Sequence, residues 1–172
     1  MNNQNFKRLL KQLGACREGY DWVSGRDLSQ TWDDLERADW LLWLAGSMAD
    51  KPGWNTRQEI VLAACDCAET ALKYVAKGEN RPRMAIESAR NWAKNPTEEN
   101  RIAAGAAAGA AEGAAAWAAA GAAAWAAARA AWAAAGAAAR AAAGAAEAAG
   151  DSDFKKQLCE LIRSRLIFDA IK

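Results

Sequence analysis

TRQEIVLAACDCAETALKYV, residues 56–75, is the stretch from which the rest of the chain is read. Thr56 followed three places later by Glu59 is a capping box, in which the threonine oxygen accepts from the first-turn backbone and the glutamate reaches back. Ile60, Ala64, Cys67, Ala71 and Val75 then recur at steps of three and four, the period of one buried helical face. Asp66 and Glu69 lie among these apolar residues, and acids are seldom buried unless paired.

Outward from this helix the same signals repeat. GENRPRMAIESARNWAKN, residues 78–95, enters a helix through Pro82, whose missing N–H does no harm in a first turn, and Pro96 ends it. Thr97, Glu98 and Glu99 open the next. Upstream, SQTWDDLERADWLLWLAG, residues 29–46, reads as one helix capped by Ser29 or Thr31 and closed by Gly46. Trp32, Leu35, Ala38 and Leu42 make one face of it, with Trp40 and Trp43 beside that face. Phe6, Leu9, Leu10 and Leu13, stopping at Gly14, predict a short amphipathic helix. Asp151 or Ser152 caps a last one, with Phe154, Leu158, Leu161, Ile162 and Leu166 inside.

Residues 103–149 hold 34 alanines in 47 positions, and alanine has the highest helix propensity. Gly105, Gly109, Gly113, Trp117, Gly121, Trp125, Arg129, Trp132, Gly136, Arg140, Gly144 and Glu147 follow at steps of four, twice of three. On one helix they form a slowly drifting stripe with a smooth alanine back. One unbroken helix of this length spans about 70 Å, so two antiparallel helices folding back near Gly121 or Gly136 are expected. Trp117, Trp125 and Trp132 read as wedges between thin helices; in a second reading Trp125, Arg129 and Trp132 line a ligand site. The expectation is an all-α, single-domain helical bundle with long, closely packed Ala-rich helices: mixed amphipathic helices over 1–102, the tract over 103–149 and a terminal helix over 151–172.

With 172 residues and 52% of them apolar, the chain can bury a sizeable core. Acids and bases nearly cancel, 21 against 22, so no global field draws long nucleic acid or an anionic membrane. The four cysteines lack framework spacing and read as reduced thiols, and MNNQNFKRLLKQL lacks the apolar core of an export signal. Both place the protein in the cytoplasm. Sixteen uncharged residues between Glu112 and Arg129 fall short of the ~20 a spanning helix needs.

No histidine is present, which removes the commonest general base and metal ligand. Cys65 and Cys67 point about 200° apart on a helix, and Cys16 and Cys159 add no zinc-site spacing. Walker, GxGxxG and GxSxG motifs are lacking. The residues therefore point to no enzyme, metal or cofactor.

Two constellations remain. Arg83, Glu87 and Arg90 share a helical face beside Arg81, a strip suited to phosphate or carboxylate, or a plain surface ladder. Asp39, Asp66 and Glu69 can receive Arg81, Arg83 or Arg90. Ringed by Trp40, Trp43 and Trp92, they make a pocket for a polar planar ligand or an anchor for a partner protein.

LAACDCAETAL, then RPRMAIESARNWA and an alanine-rich tract, with DWLLWLAG upstream, resembles the immunity proteins of bacterial polymorphic-toxin systems, in the group similar to the fifth immunity family. The likeness covers about residues 20–150. It implies an all-helical, non-enzymatic protein that neutralises a harmful partner by binding, and singles out Trp40, Trp43, Asp66, Cys67, Glu69, Arg81, Pro82, Arg83 and Arg90. Relatives place histidines in the tract where this chain has tryptophan, glycine and arginine. The expected partner is a toxin or defence protein; the alternative is a sponge for a small nucleotide signal, through tryptophan stacking and arginine–phosphate contacts. A homo-oligomer, a dimer, is expected from the alanine and glycine face.

Overall fold

A computed structural model describes residues 1–75, 77–111 and 153–167, which form eight α-helices and one 3-10 turn, with no strand among them. The chain is an all-α helical bundle. The expected fold-back at Gly121 or Gly136 and the residues Trp117, Trp125, Arg129 and Trp132 lie outside the described residues, as do Asp151 and Ser152.

Helix α5 (Arg57–Thr70) has three other helices packed against it, and it starts where the capping box predicts: Thr56 Oγ1 accepts from the Glu59 N–H at 3.3 Å while the Glu59 carboxylate accepts from the Thr56 N–H at 2.7 Å. Ile60, Val61, Ala63, Ala64, Cys65, Cys67 and Ala68 are all buried. Three of these seven are alanines, so neighbouring helices approach closely. After Thr70 the chain tightens into a 3-10 turn, Ala71–Tyr74, in which Ala71 is buried and Val75 beyond it half-buried.

Helix α6 (Arg81–Lys94) packs along α5 with Ala85, Ile86, Ala89, Trp92 and Ala93, and α7 (Glu98–Ala111) packs along α6. Thr97 Oγ1 accepts from the Asn100 N–H at 3.2 Å at the start of α7. The last described helix, α8 (Phe154–Arg165), lies against α5 and α4 (Ala38–Ser47), burying Phe154, Leu158, Cys159 and Ile162. Asp153 precedes α8 but makes no side-chain cap.

At the other end, α1 (Asn3–Gln12) buries Phe6 and Leu10 and is followed by Gly14 at φ 74°. A second short helix, α2 (Arg17–Trp22), packs on α1 and has no counterpart in the apolar periodicity.

The expected single helix over residues 29–46 is two helices, α3 (Leu28–Asp34) and α4. Neither Ser29 nor Thr31 caps it. Asp27 does, accepting from the Gln30 N–H at 2.9 Å while the Gln30 amide oxygen accepts from the Asp27 N–H at 3.0 Å. This reciprocal pair satisfies first-turn donors earlier in the chain, which puts Thr31 inside the helix. Gly46 does not close α4 either; it is buried within the last turn.

The break at Leu35–Arg37 has a cause far away in sequence. Ending a helix leaves the carbonyls of its last turn without intrahelical donors. Arg163 of α8 donates to two carbonyls here, Nε to Trp32 O at 2.8 Å and Nη2 to Leu35 O at 2.6 Å. A charged fork on two backbone carbonyls is among the stronger hydrogen-bonding arrangements. Arg163→Ala is expected to lower unfolding stability by about 2 kcal/mol, and Arg163→Lys, without the fork, to recover less than half; urea denaturation of the three proteins measures this.

Candidate functional site

The α3–α4 break turns Trp40 and Trp43 toward α1 and α2, where they help to enclose a cavity of about 180 Å³. Phe6, Leu10, Val23, Leu35 and Leu44, all buried, also line it. Trp22 and Gly19 of α2 form a further wall, and Gly14, Ala15 and Cys16 line it from the α1–α2 turn. No carboxylate, ammonium or guanidinium group is among the lining residues. Thr31 is, and its Oγ1 has no hydrogen-bond partner although the residue is only 3% exposed.

Two of the three tryptophans are braced in the same way. The Arg26 guanidinium stacks 4.3 Å from the Trp22 ring, donates to Trp22 O at 2.8 Å and pairs with Asp34 at 3.6 Å. The Arg37 guanidinium lies 4.4 Å from the Trp40 ring and grips Asp39 through two hydrogen bonds, 2.9 and 2.8 Å, with Glu18 3.6 Å away. The Asp39 hydrogen bonds are the main reason the Arg37 pKa is raised. Asp39 is 5% exposed, and pairing with Arg37 offsets part of the cost of burying its charge. Arg37 escapes sequence reasoning because it precedes α4 and shares no helical face with Asp39.

Asp66 and Glu69 lie elsewhere. The Arg90 Nη2 of α6 bridges Asp66 at 2.7 Å and Glu69 at 2.5 Å, and Arg165 at the end of α8 closes on Asp66 at 2.9 Å. Four charges thus tie α5, α6 and α8 together. Arg90 holds Glu69 below the ordinary carboxylate pKa of 4.5, chiefly through their hydrogen bond, with the charge of Arg83 adding to it. Reciprocally, Arg90 is raised, first by Glu69.

The expected single pocket of acids ringed by tryptophans is therefore not formed. Trp40 and Trp43 line the cavity, whereas Asp66, Glu69 and Arg90 belong to the ion cluster and none of these three lines the cavity. Trp92, 9% exposed on the inner face of α6, is a core residue and lines no part of the cavity. The Arg83–Glu87–Arg90 ladder is also replaced, because Arg90 turns to α5. Arg83 and Glu87 are exposed, and Arg81 pairs with Glu79. Trp125, Arg129 and Trp132 lie outside the described residues.

Cys65, Cys67 and Cys159 are buried and Cys16 is exposed. Burial pushes the Cys65 thiol up to about 12 and the Cys159 thiol to about 11, and raises Cys67 as well. These three are core packing groups rather than nucleophiles. Among the described residues no group of three or more ligand-type side chains could hold a metal, and no helix is long and apolar enough to cross a membrane. No protein-family model, curated protein or solved structure matches the chain.

Because the folded pKa of Glu69 is depressed, its contribution to stability is fully present above the unfolded carboxylate value and is lost as pH falls through the folded one. Carbon-detected NMR titration is expected to place the Glu69 midpoint below 4.5 in the wild type and to return it toward that value in Arg90→Ala, whose stability then falls less steeply in acid.

Proposed function

We propose that the protein is a non-enzymatic binding protein that neutralises a toxin or defence component by sequestration, with the tryptophan-walled cavity as the anchor point for the partner. The cavity is the observation that carries this reading. An apolar hollow walled by Trp22, Trp40 and Trp43, with Arg26 and Arg37 laid over two of the rings, combines the residue types that dominate binding energy at protein interfaces. Arg17, Glu18 and Asp21 on α2 supply an exposed charged rim. The lining offers no general base or metal ligand set, which favours holding over turnover. The resemblance of residues 20–150 to polymorphic-toxin immunity proteins points the same way.

The alternative, a sponge for a nucleotide signal, draws less from this geometry. Of the two arginines it calls on, Arg90 is already committed to two carboxylates, and Arg83, though exposed, lines no part of the cavity that the tryptophans wall. Calorimetric titration with linear and cyclic nucleotides is expected to be flat; a sub-micromolar affinity restores the sponge reading.

Tagged protein expressed in its native host is expected to bring down a stoichiometric protein partner. Trp43→Ala, which removes one wall, should lower recovery at least tenfold while a thermal melt shows the domain still folded. Equal recovery by a folded Trp43→Ala protein counts against the cavity as the anchor.

A further inference from the structure

We infer that Cys16 is a covalent modification site, at which an uncharged electrophile of the α,β-unsaturated carbonyl class is first held in the aromatic hollow and then captured by the thiol. The inference uses the same hollow as the anchor reading but goes beyond it, since it does not depend on what the protein sequesters.

Three observations converge on it. The first is selection among thiols. Of the four cysteines only Cys16 is exposed, and burial raises the thiols of Cys65, Cys67 and Cys159. The thiolate is the attacking form, so one sulfur of this chain is open to an added electrophile.

The second is position. Cys16 lines the hollow together with Gly19, Trp22, Trp40 and Trp43. Its Sγ accepts from the Gly19 N–H at 3.4 Å, which fixes the sulfur beside that residue. A Cβ added at Gly19 would lie 3.4 Å from this sulfur and 3.8 Å from Cε3 and Cζ3 of Trp40. The sulfur and the Trp40 ring therefore flank one small space that the missing side chain leaves open.

The third is the receptacle. An apolar cavity of about 150 Å³ takes up benzene, and this one is about 180 Å³ and partly open to solvent. No charged side chain lines it, so the charged ends of a small thiol such as glutathione meet no partner there. An uncharged ring or short alkyl group instead gains by leaving water. A disulfide within the chain does not compete, because the other three thiols are buried.

Capture is a Michael addition. A sulfur electron pair forms the S–C bond at the β-carbon, the carbon–carbon π bond breaks, and its electrons pass to the carbonyl oxygen as an enolate. The proton lost by the thiol to water is matched by one that water returns to the α-carbon, so no oxidant or reductant is needed. Holding the β-carbon beside the sulfur makes a bimolecular step effectively unimolecular.

N-Phenylmaleimide and N-(2-hydroxyethyl)maleimide share one reacting ring and differ in the group that would enter the hollow. Adduct formation on the full-length protein is followed by intact mass, and each rate is divided by that of the same reagent with glutathione. On this scale the phenyl reagent is expected to react about tenfold faster than the hydroxyethyl one, with a rate that saturates as its concentration rises. Cys16→Ser, which keeps a capping oxygen at the start of α2, should form no adduct. Trp43→Ala, shown by a thermal melt to be folded, should bring the phenyl reagent down to the hydroxyethyl level. Equal normalised rates on the wild type overturn the inference, as does an adduct that persists in Cys16→Ser or a full phenyl preference in folded Trp43→Ala. The partner-recovery experiment, which uses no electrophile, decides the sequestration reading separately.

Discussion

Two backbone carbonyls, those of Trp32 and Leu35, depend on one guanidinium from the far end of the chain. Arg163 satisfies both where α3 stops, and the stop redirects α4. Had residues 29–46 continued as one helix, Trp40 and Trp43 would have kept the register set by Trp32 and Leu35. With the break, they face α1 and α2 and wall a cavity instead. The same α8 that carries Arg163 also sends Arg165 to Asp66, so one short helix couples the α3–α4 corner to the α5–α6 pair.

The two charged assemblies have different consequences. At the α5–α6–α8 junction, Arg90 and Arg165 pair with Asp66 and Glu69 and hold helices in place. Around the cavity, Arg26 and Arg37 lie over tryptophan rings and are themselves tied to Asp34 and Asp39. Cations fixed this way restrain the rings at the surface, so less side-chain freedom is lost when something binds between them.

Much of the fold was legible from local rules. Thr56–Glu59, Pro82, Thr97 and the apolar faces of α1, α5 and α8 are all short-range signals, and the structure places helices on them. The α3–α4 break was not legible, because an unbroken apolar period spans it and the group that stabilises the break lies more than a hundred residues downstream. The site divided likewise. Arg90 could be matched to Asp66 and Glu69 since adjacent helices carry complementary charges. Arg37 and Thr31 could not be singled out: one is defined by a two-residue contact across a helix start, the other by a bond it fails to make. Trp92 was misplaced because tryptophan reads the same in a core and in a pocket.

Breaking α3 from α4 opens an apolar, aromatic-walled cavity. Diffraction from crystals of the protein under xenon pressure tests this most directly, since xenon enters apolar cavities of this size. Xenon density is expected between Leu10, Trp40, Trp43 and Leu44, with Arg163 seated on the Trp32 and Leu35 carbonyls. A continuous helix through residues 29–46, with no xenon between α4 and α1, contradicts it.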